Sequence, residues 1–163
     1  MNLNNALILR DVRNSDVTTF FDQQLDAEAN YMAAFTAKDP TNREAFSAHW
    51  KRIMSDSTVM IRTVVMDEKI AGSVSSYEED GKPEVTYWLG QEFWGNGICT
   101  VALGMFLKDH QSKRPIYARV AKDNLRSRRV LEKCGFQAID ETKGFANARG
   151  EEIEELLLEL TKS

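Results

Sequence analysis

Cysteine, histidine and proline are scarce in this chain: two, two and three among 163 residues. Cys99 and Cys134 stand alone, without the spacing that metal ligation requires, so no metal is expected and both are read as free thiols in a reducing cytoplasm. His49 and His110 are equally isolated and are read as surface or half-buried helix residues without catalytic duty. Positive charge is not in excess either. Lys and Arg number 21 against 25 Asp and Glu, a net charge of −4. That excludes a broad nucleic-acid footprint while leaving room for a local basic patch that binds phosphate. No apolar run approaches the ~18 residues of a membrane span, so no membrane partner is expected. "MNLNNALILRDV" lacks the basic leader and small-residue cleavage site of a secretion signal. No repeat or low-complexity linker divides the chain, which reads as one cytoplasmic globular domain over residues 1–163.

What is present is a change of hydrophobic period along the chain. "ALILRDV" reads as a strand, and Ser15-Asp16 offer caps for one or two short helices over residues 16–38. In "NYMAAF", Tyr31, Met32 and Phe35 fall near one face. Thr41 and Glu44 have the spacing of a capping box, ahead of Phe46, Trp50, Ile53 and Met54 at helical intervals to about Asp56. Residues 58–66, "IAGSVSSYE" and "EVTYWLG" are β-rich runs joined by short turns, hence a three-stranded antiparallel meander. Ile98, Val101, Ala102, Met105 and Phe106 then restore a helical period to about Gln111. "PIYARV" is a strand, "NLRSRRVLEKCGF" a short helix ended at Gly135, and "FQAIDE" a strand. The tail "EEIEELLLEL" is ambiguous. Ile153, Leu156, Leu157 and Leu160 have helical spacing, whereas the strand at 136–141 needs a pairing partner. Periodicity alone favours a helix there.

The loop "WLGQEFWGNGICT" lies between a strand and a helix and carries Gly95 and Gly97 one residue apart. A helix N-terminus presents unpaired N–H groups and the positive end of the helix dipole, so it attracts anions. Glycines let those amides approach a phosphate, Asn96 accepts a left-handed conformation, and Thr100 adds a hydroxyl. A dinucleotide fingerprint would need a third glycine where Thr100 stands, and the Gly-Lys-Ser/Thr of a P-loop is absent. The plain alternative is a tight turn whose glycines only avoid clashes.

"YWLGQEFWGNGICT" followed by "VAKDNLRSRRVLEKCGF" resembles the acyl-CoA-binding core of the GCN5-related N-acetyltransferases, GNAT for short. The likeness is greatest to the subgroup containing the ribosomal-protein N-terminal acetyltransferases, and covers nearly the whole chain in element order. It implies an α+β fold with a twisted, mixed, mostly antiparallel sheet in which a central parallel pair, residues 84–89 and 116–120, splays apart around acetyl-CoA as cosubstrate. It implies pantetheine contacts from the backbone at Trp88 and Leu89. Amides from Trp94 through Gly95, Asn96, Gly97, Ile98 and Cys99 to Thr100 would hold the diphosphate, with Asn124 and Ser127 near the pantetheine end. It makes 152–160 a closing antiparallel strand, against the periodicity. Two positions depart from the family pattern. Glu92 replaces the usual Gln or Arg three residues before the first loop glycine. Leu131, four residues before Gly135, replaces the tyrosine that many members use to protonate the leaving thiolate. Cys134, Tyr117, an ordered water or no general acid at all remain open.

Acyl transfer to an amine requires that amine to be neutral, and a backbone N–H near Leu89 is placed to stabilise a developing oxyanion. A lysine with pKa about 10.4 is roughly 10⁻³ neutral at pH 7, whereas an α-amine near 7.7–8.0 is about 10% neutral. The α-amine of a peptide or a small metabolite therefore asks far less of the site. Glu84, at the start of the strand leading into the loop, is the candidate base, acting through water; the alternative is a solvated carboxylate at a strand end. Tyr77 and Tyr87 are candidates to line the acceptor site, and Tyr31, Met32 and Phe35 to wall it, with ordinary packing the alternative for each. Arg126, Arg128 and Arg129 form either a solvated helix face or a contact for the nucleotide 3′-phosphate. The expected activity is acetyl transfer from acetyl-CoA to a primary amine, a peptide N-terminus or a small molecule, by direct attack in a ternary complex. The alternative is a non-catalytic acyl-CoA sensor. A homodimer is compatible with the chain and not readable from it.

Overall fold

The computed structural model describes residues 6–162; the reading of residues 1–5 as free of a leader lies outside the described residues. In chain order the elements are β1 (Leu7–Arg10), α1 (Asn14–Gln24), α2 (Ala27–Ala33), α3 (Arg43–Met54), β2 (Met60–Met66), β3 (Lys69–Glu79) and β4 (Lys82–Leu89), then a 3-10 turn at Gln91–Phe93, α4 (Ile98–Asp109), β5 (Ile116–Ala121), α5 (Leu125–Lys133), β6 (Gln137–Ala146) and β7 (Glu151–Leu160). The strands form one sheet in the order β1-β2-β3-β4-β5-β7-β6. Neighbours are antiparallel except β4 and β5, which are parallel. The expected meander and splayed central pair are both present.

The tail is a strand, as the family resemblance implies and against the helix that periodicity alone favoured. β7 hydrogen-bonds β5 on one side and β6 on the other, and its buried residues are Leu156, Leu158 and Leu160. That is period two. Leu157 and Ile153 lie on the opposite face and are also partly covered, so apolar residues fall on both faces and blur the alternation. α4 supplies the other half of the core through Ile98, Ala102, Leu103, Phe106 and Leu107. Leu103 and Leu107 take the buried places that the sequence reading gave to Val101 and Met105, one step around the helix.

Two caps differ from their sequence expectation. Arg13, not Ser15, is the N-cap of α1, and Asp16 reaches back from the third helical position to accept from the Arg13 N–H at 2.8 Å. Asn42, not Thr41, caps α3, its Oδ1 accepting from the Ala45 N–H; Thr41 instead donates to Asp39. Asn42 lies beside the residue chosen from sequence and caps by side-chain reach, whereas Arg13 lies two residues before Ser15 and is held by the returning Asp16 carboxylate. Among the described residues no helix is long and apolar enough to cross a membrane.

Asp16 does more than cap. It is 1% exposed and also accepts from Arg10 Nη1 and Nη2 at 2.7 and 3.0 Å and from Thr63 Oγ1 at 2.8 Å, tying α1 to β1 and β2. Burial pushes its pKa up, but the bonds from Arg10, the Arg13 N–H and Thr63 outweigh that and hold it below the ordinary value. Its folded pKa is depressed, so its stabilisation is complete above the unfolded value of about 3.9 and is lost as pH falls through the folded value. Asp16→Asn is expected to cost about 2–3 kcal/mol at pH 7, leaving Arg10 and Thr63 short of a charged acceptor. Thermal melts from pH 7 down to pH 3 should show the gap between the two proteins narrowing below about pH 4.

Candidate active site

β4 and β5 pair only at Glu84 and Tyr117. Beyond that point the strands diverge towards their C-terminal ends, and β4 has an edge without a neighbour. A cavity of about 680 Å³ opens between the end of β4, the loop at 91–97, the start of α4 and one face of α5. A second, of about 580 Å³, lies on the other side of β4, walled by α1, α3 and β5. Ala33, Tyr87, Trp88, Asn124 and Ser127 line both. The cavities therefore meet at the tip of β4.

The aromatic residues of the loop anchor it. Phe93 is buried in the core, while Trp94 is partly buried against it and donates Nε1–H to the Leu89 carbonyl at 3.1 Å. Held this way, Gly95 and Gly97 take φ of 82° and 76°, in the left-handed region where a side chain is strained, and Gly97 becomes the N-cap of α4. The N–H groups from Gly95 to Thr100 find no acceptor among the described residues. They face a cavity edged by Arg126, Arg129 and Lys133 on α5, with the Arg126 guanidinium stacked 4.3 Å above the Trp94 ring. Free amides, a helix N-terminus and three cations fit the phosphates of a coenzyme A molecule. Arg128, grouped with these arginines in the sequence reading, instead reaches the Lys122 carbonyl.

Of the residues expected to hold the cofactor, Trp88, Leu89, Trp94, Gly95, Gly97, Ile98, Cys99, Thr100, Asn124 and Ser127 line this cavity. Asn96 is exposed and does not. Asn124 also has structural work: its Oδ1 caps α5 by accepting from the Ser127 N–H, and its Nδ2 donates to the Met32 carbonyl. The Cys99 thiol is pushed up to about 12 by burial and by neighbouring Cys134, and stays protonated at neutral pH.

The expected acceptor residues divide. Phe35 and Tyr77 line the second cavity. Tyr31 does not: it is 53% exposed and stacked under the Arg149 guanidinium at 4.0 Å, because the chain turns away after α2 through Ala34 at φ 67°. Nor is Glu84 a solvated strand-end group. It is 4% exposed, accepts from Tyr77 Oη at 3.2 Å, and pairs with Arg119 Nε at 3.2 Å. It does not itself line either cavity, whereas Tyr77, Arg119 and Glu155 do. Tyr77 is pushed up to about 12, first by burial and then by the Glu84 charge, so its hydroxyl keeps its proton. Glu155, partly buried on β7, has its pKa raised by burial, which outweighs the opposing Arg119 charge.

Neither Cys134 nor Tyr117 lines either cavity, so of the open candidates an ordered water and the absence of a general acid stand. Tyr87, considered from sequence only as lining, is better placed. It stands at the junction with its Oη 2.7 Å from Ser127 Oγ and 3.2 Å from the Ser127 carbonyl. Burial drives its pKa strongly upward. Sequence could not single it out, because the pairing joins β4 to α5 across forty positions.

A sheet opened between two parallel strands, with a glycine-turned helix N-terminus at the mouth, defines an acyl-CoA-binding fold. Residues 6–137 match the acetyltransferase (GNAT) domain family, and the chain belongs to it. A putative ribosomal N-acetyltransferase, YdaF of Bacillus subtilis (strain 168), is 30% identical over 112 residues, a match spanning 63% of this chain and 61% of that protein. Two solved structures share the fold over nearly the whole chain. The microcin C7 self-immunity acetyltransferase MccE, in complex with acetyl-CoA and AMP, has a TM-score of 0.81 at 18% identity, covering 99% of this chain and 95% of its own. The spermidine N-acetyltransferase of Vibrio cholerae, in complex with CoA and spermine, has a TM-score of 0.78 at 17% identity, covering 96% of each chain.

Proposed function

We propose that this protein is an N-acetyltransferase that uses acetyl-CoA to acylate a primary amine, on a peptide N-terminus or a small molecule, by direct attack in a ternary complex. The observation that carries this is the meeting of the two cavities at Tyr87, Trp88, Asn124 and Ser127. One cavity fits a coenzyme, the other an acceptor, and both reach one point. The likeness to a ribosomal N-acetyltransferase favours a peptide N-terminus, and the neighbour that holds spermine favours a small amine. Acetyl-CoA supplies the acyl thioester. The amides from Gly95 to Thr100 with Arg126, Arg129 and Lys133 hold its phosphates, and the free edge of β4 at Trp88 and Leu89 aligns the pantetheine.

Glu84 takes the acceptor's proton through Tyr77: the hydroxyl receives a proton from the ammonium and passes its own to the carboxylate 3.2 Å away. Tyr77 thus replaces the water expected from sequence. The relay need not be strong, since an α-amine is already about 10% neutral at pH 7. Glu84→Gln is accordingly expected to lower kcat/KM about tenfold at pH 7 and hardly at all at pH 9, where the amine is neutral unaided. A second reading gives the role to Glu155, which lines the cavity and whose pKa burial raises; Glu155→Gln would then show that pH-dependent loss in place of Glu84→Gln. The deciding experiment follows thiol release from acetyl-CoA over a panel of amines beside calorimetric binding of CoA. Acceptor-dependent turnover supports the proposal. Tight CoA binding with no turnover for any amine would identify a sensor instead.

A further inference from the structure

We infer that the acceptor is a primary amine carried on an uncharged, aromatic or bulky apolar body, and not a polyamine. This rests on the acetyltransferase reading and concerns the second cavity alone. Its far wall is aromatic. Phe20 of α1 packs against Trp50 of α3 with ring centroids 4.8 Å apart, and Phe46 lies 6.1 Å from Trp50. Phe35 joins them across the cavity. α3 is amphipathic in sequence, yet none of its residues is fully buried. Phe46 and Trp50 remain half-covered, facing space. An apolar helix face that stops short of the core and borders a cavity is suited to the apolar part of a ligand.

The charges of the cavity point the same way. Its charged lining consists of Arg119 and Glu155, which lie 3.9 Å apart and offset each other. The remaining carboxylate within reach, Glu84, is already paired with Arg119. The two carboxylates therefore share one guanidinium, and the single negative charge that remains matches one ammonium and leaves no counter-charge for a second or third.

The test measures calorimetric binding of phenylalaninamide, alaninamide and spermidine to the CoA-loaded protein, and thiol release from acetyl-CoA with the same three amines. Phenylalaninamide should bind at least tenfold more tightly than alaninamide, as burial of a phenyl ring implies, and more tightly than spermidine. Trp50→Ala should bring the two amides to within about threefold while coenzyme affinity holds, because Trp50 lies outside the coenzyme cavity. Trp50→Phe should keep most of the preference and shows that loss in the alanine variant is not unfolding. Spermidine binding more tightly than phenylalaninamide, or equal binding of the two amides, would overturn the inference even where turnover upholds the enzyme. Selective binding of phenylalaninamide without turnover would uphold the inference and sink the enzyme.

Discussion

Gly95→Val with Gly97→Val should weaken coenzyme A binding by about a thousandfold. Both glycines hold left-handed φ, and a β-branched residue in that region costs on the order of 1–2 kcal/mol. A Cβ at Gly95 meets no protein atom within 4 Å, so any obstruction there would be felt by the ligand and not by the fold. Loop strain, with loss of hydrogen bonds to a charged diphosphate at about 1.5–3 kcal/mol each, gives roughly 4 kcal/mol, or three decades of affinity. Calorimetry with coenzyme A measures this directly, and a melt checks that the fold survives. Phe93 and Trp94 anchor the loop separately, so the fold should lose much less than the binding. An affinity within threefold of the parent would remove the coenzyme site from this loop.

Tyr87→Phe should lower kcat about 10- to 100-fold while leaving the coenzyme Kd within about threefold. Tyr87 is buried at the junction of the cavities, and its strongly raised pKa keeps the hydroxyl protonated. On the proposed reading it would donate a hydrogen bond, directly or through Ser127 Oγ at 2.7 Å, to the sulfur on which negative charge gathers. A hydrogen bond to a charged group is worth about 1.5–3 kcal/mol, which sets the size of the effect. Single-turnover rates with saturating acetyl-CoA separate this from weaker binding. An unchanged rate would mean that the leaving group needs no donor from β4. A rate loss that disappears with a coenzyme analogue of more acidic thiol would support the assignment, since such a thiolate leaves without help.

The legible parts of this protein were those encoded over short stretches. The meander over β2 to β4 was readable because turns such as "EDGK" separate runs of β-branched residues. The glycine loop was readable because Gly95 and Gly97 hold the left-handed φ that glycine favours, at a helix N-terminus whose amides are bare. Glu84 shows where that reading stops. Its position on the strand was evident, but its burial was not, because Arg119 comes from β5 and Tyr77 from β3. Tyr31 was misplaced for a similar reason: helical spacing put it beside Phe35, and the left-handed turn at Ala34 separated them.

The sequence by itself determined the order of elements, the glycine turn at the start of α4 and membership of the acetyltransferase family, all legible in residues adjacent along the chain. Tertiary structure alone decided that Tyr87 meets Ser127, that Arg119 pairs with Glu84 and that aromatic side chains of two helices line the second cavity. Each of those depends on segments distant in sequence meeting at a few ångströms, and hydrogen bonds, ion pairs and apolar contacts are decided by separation in space.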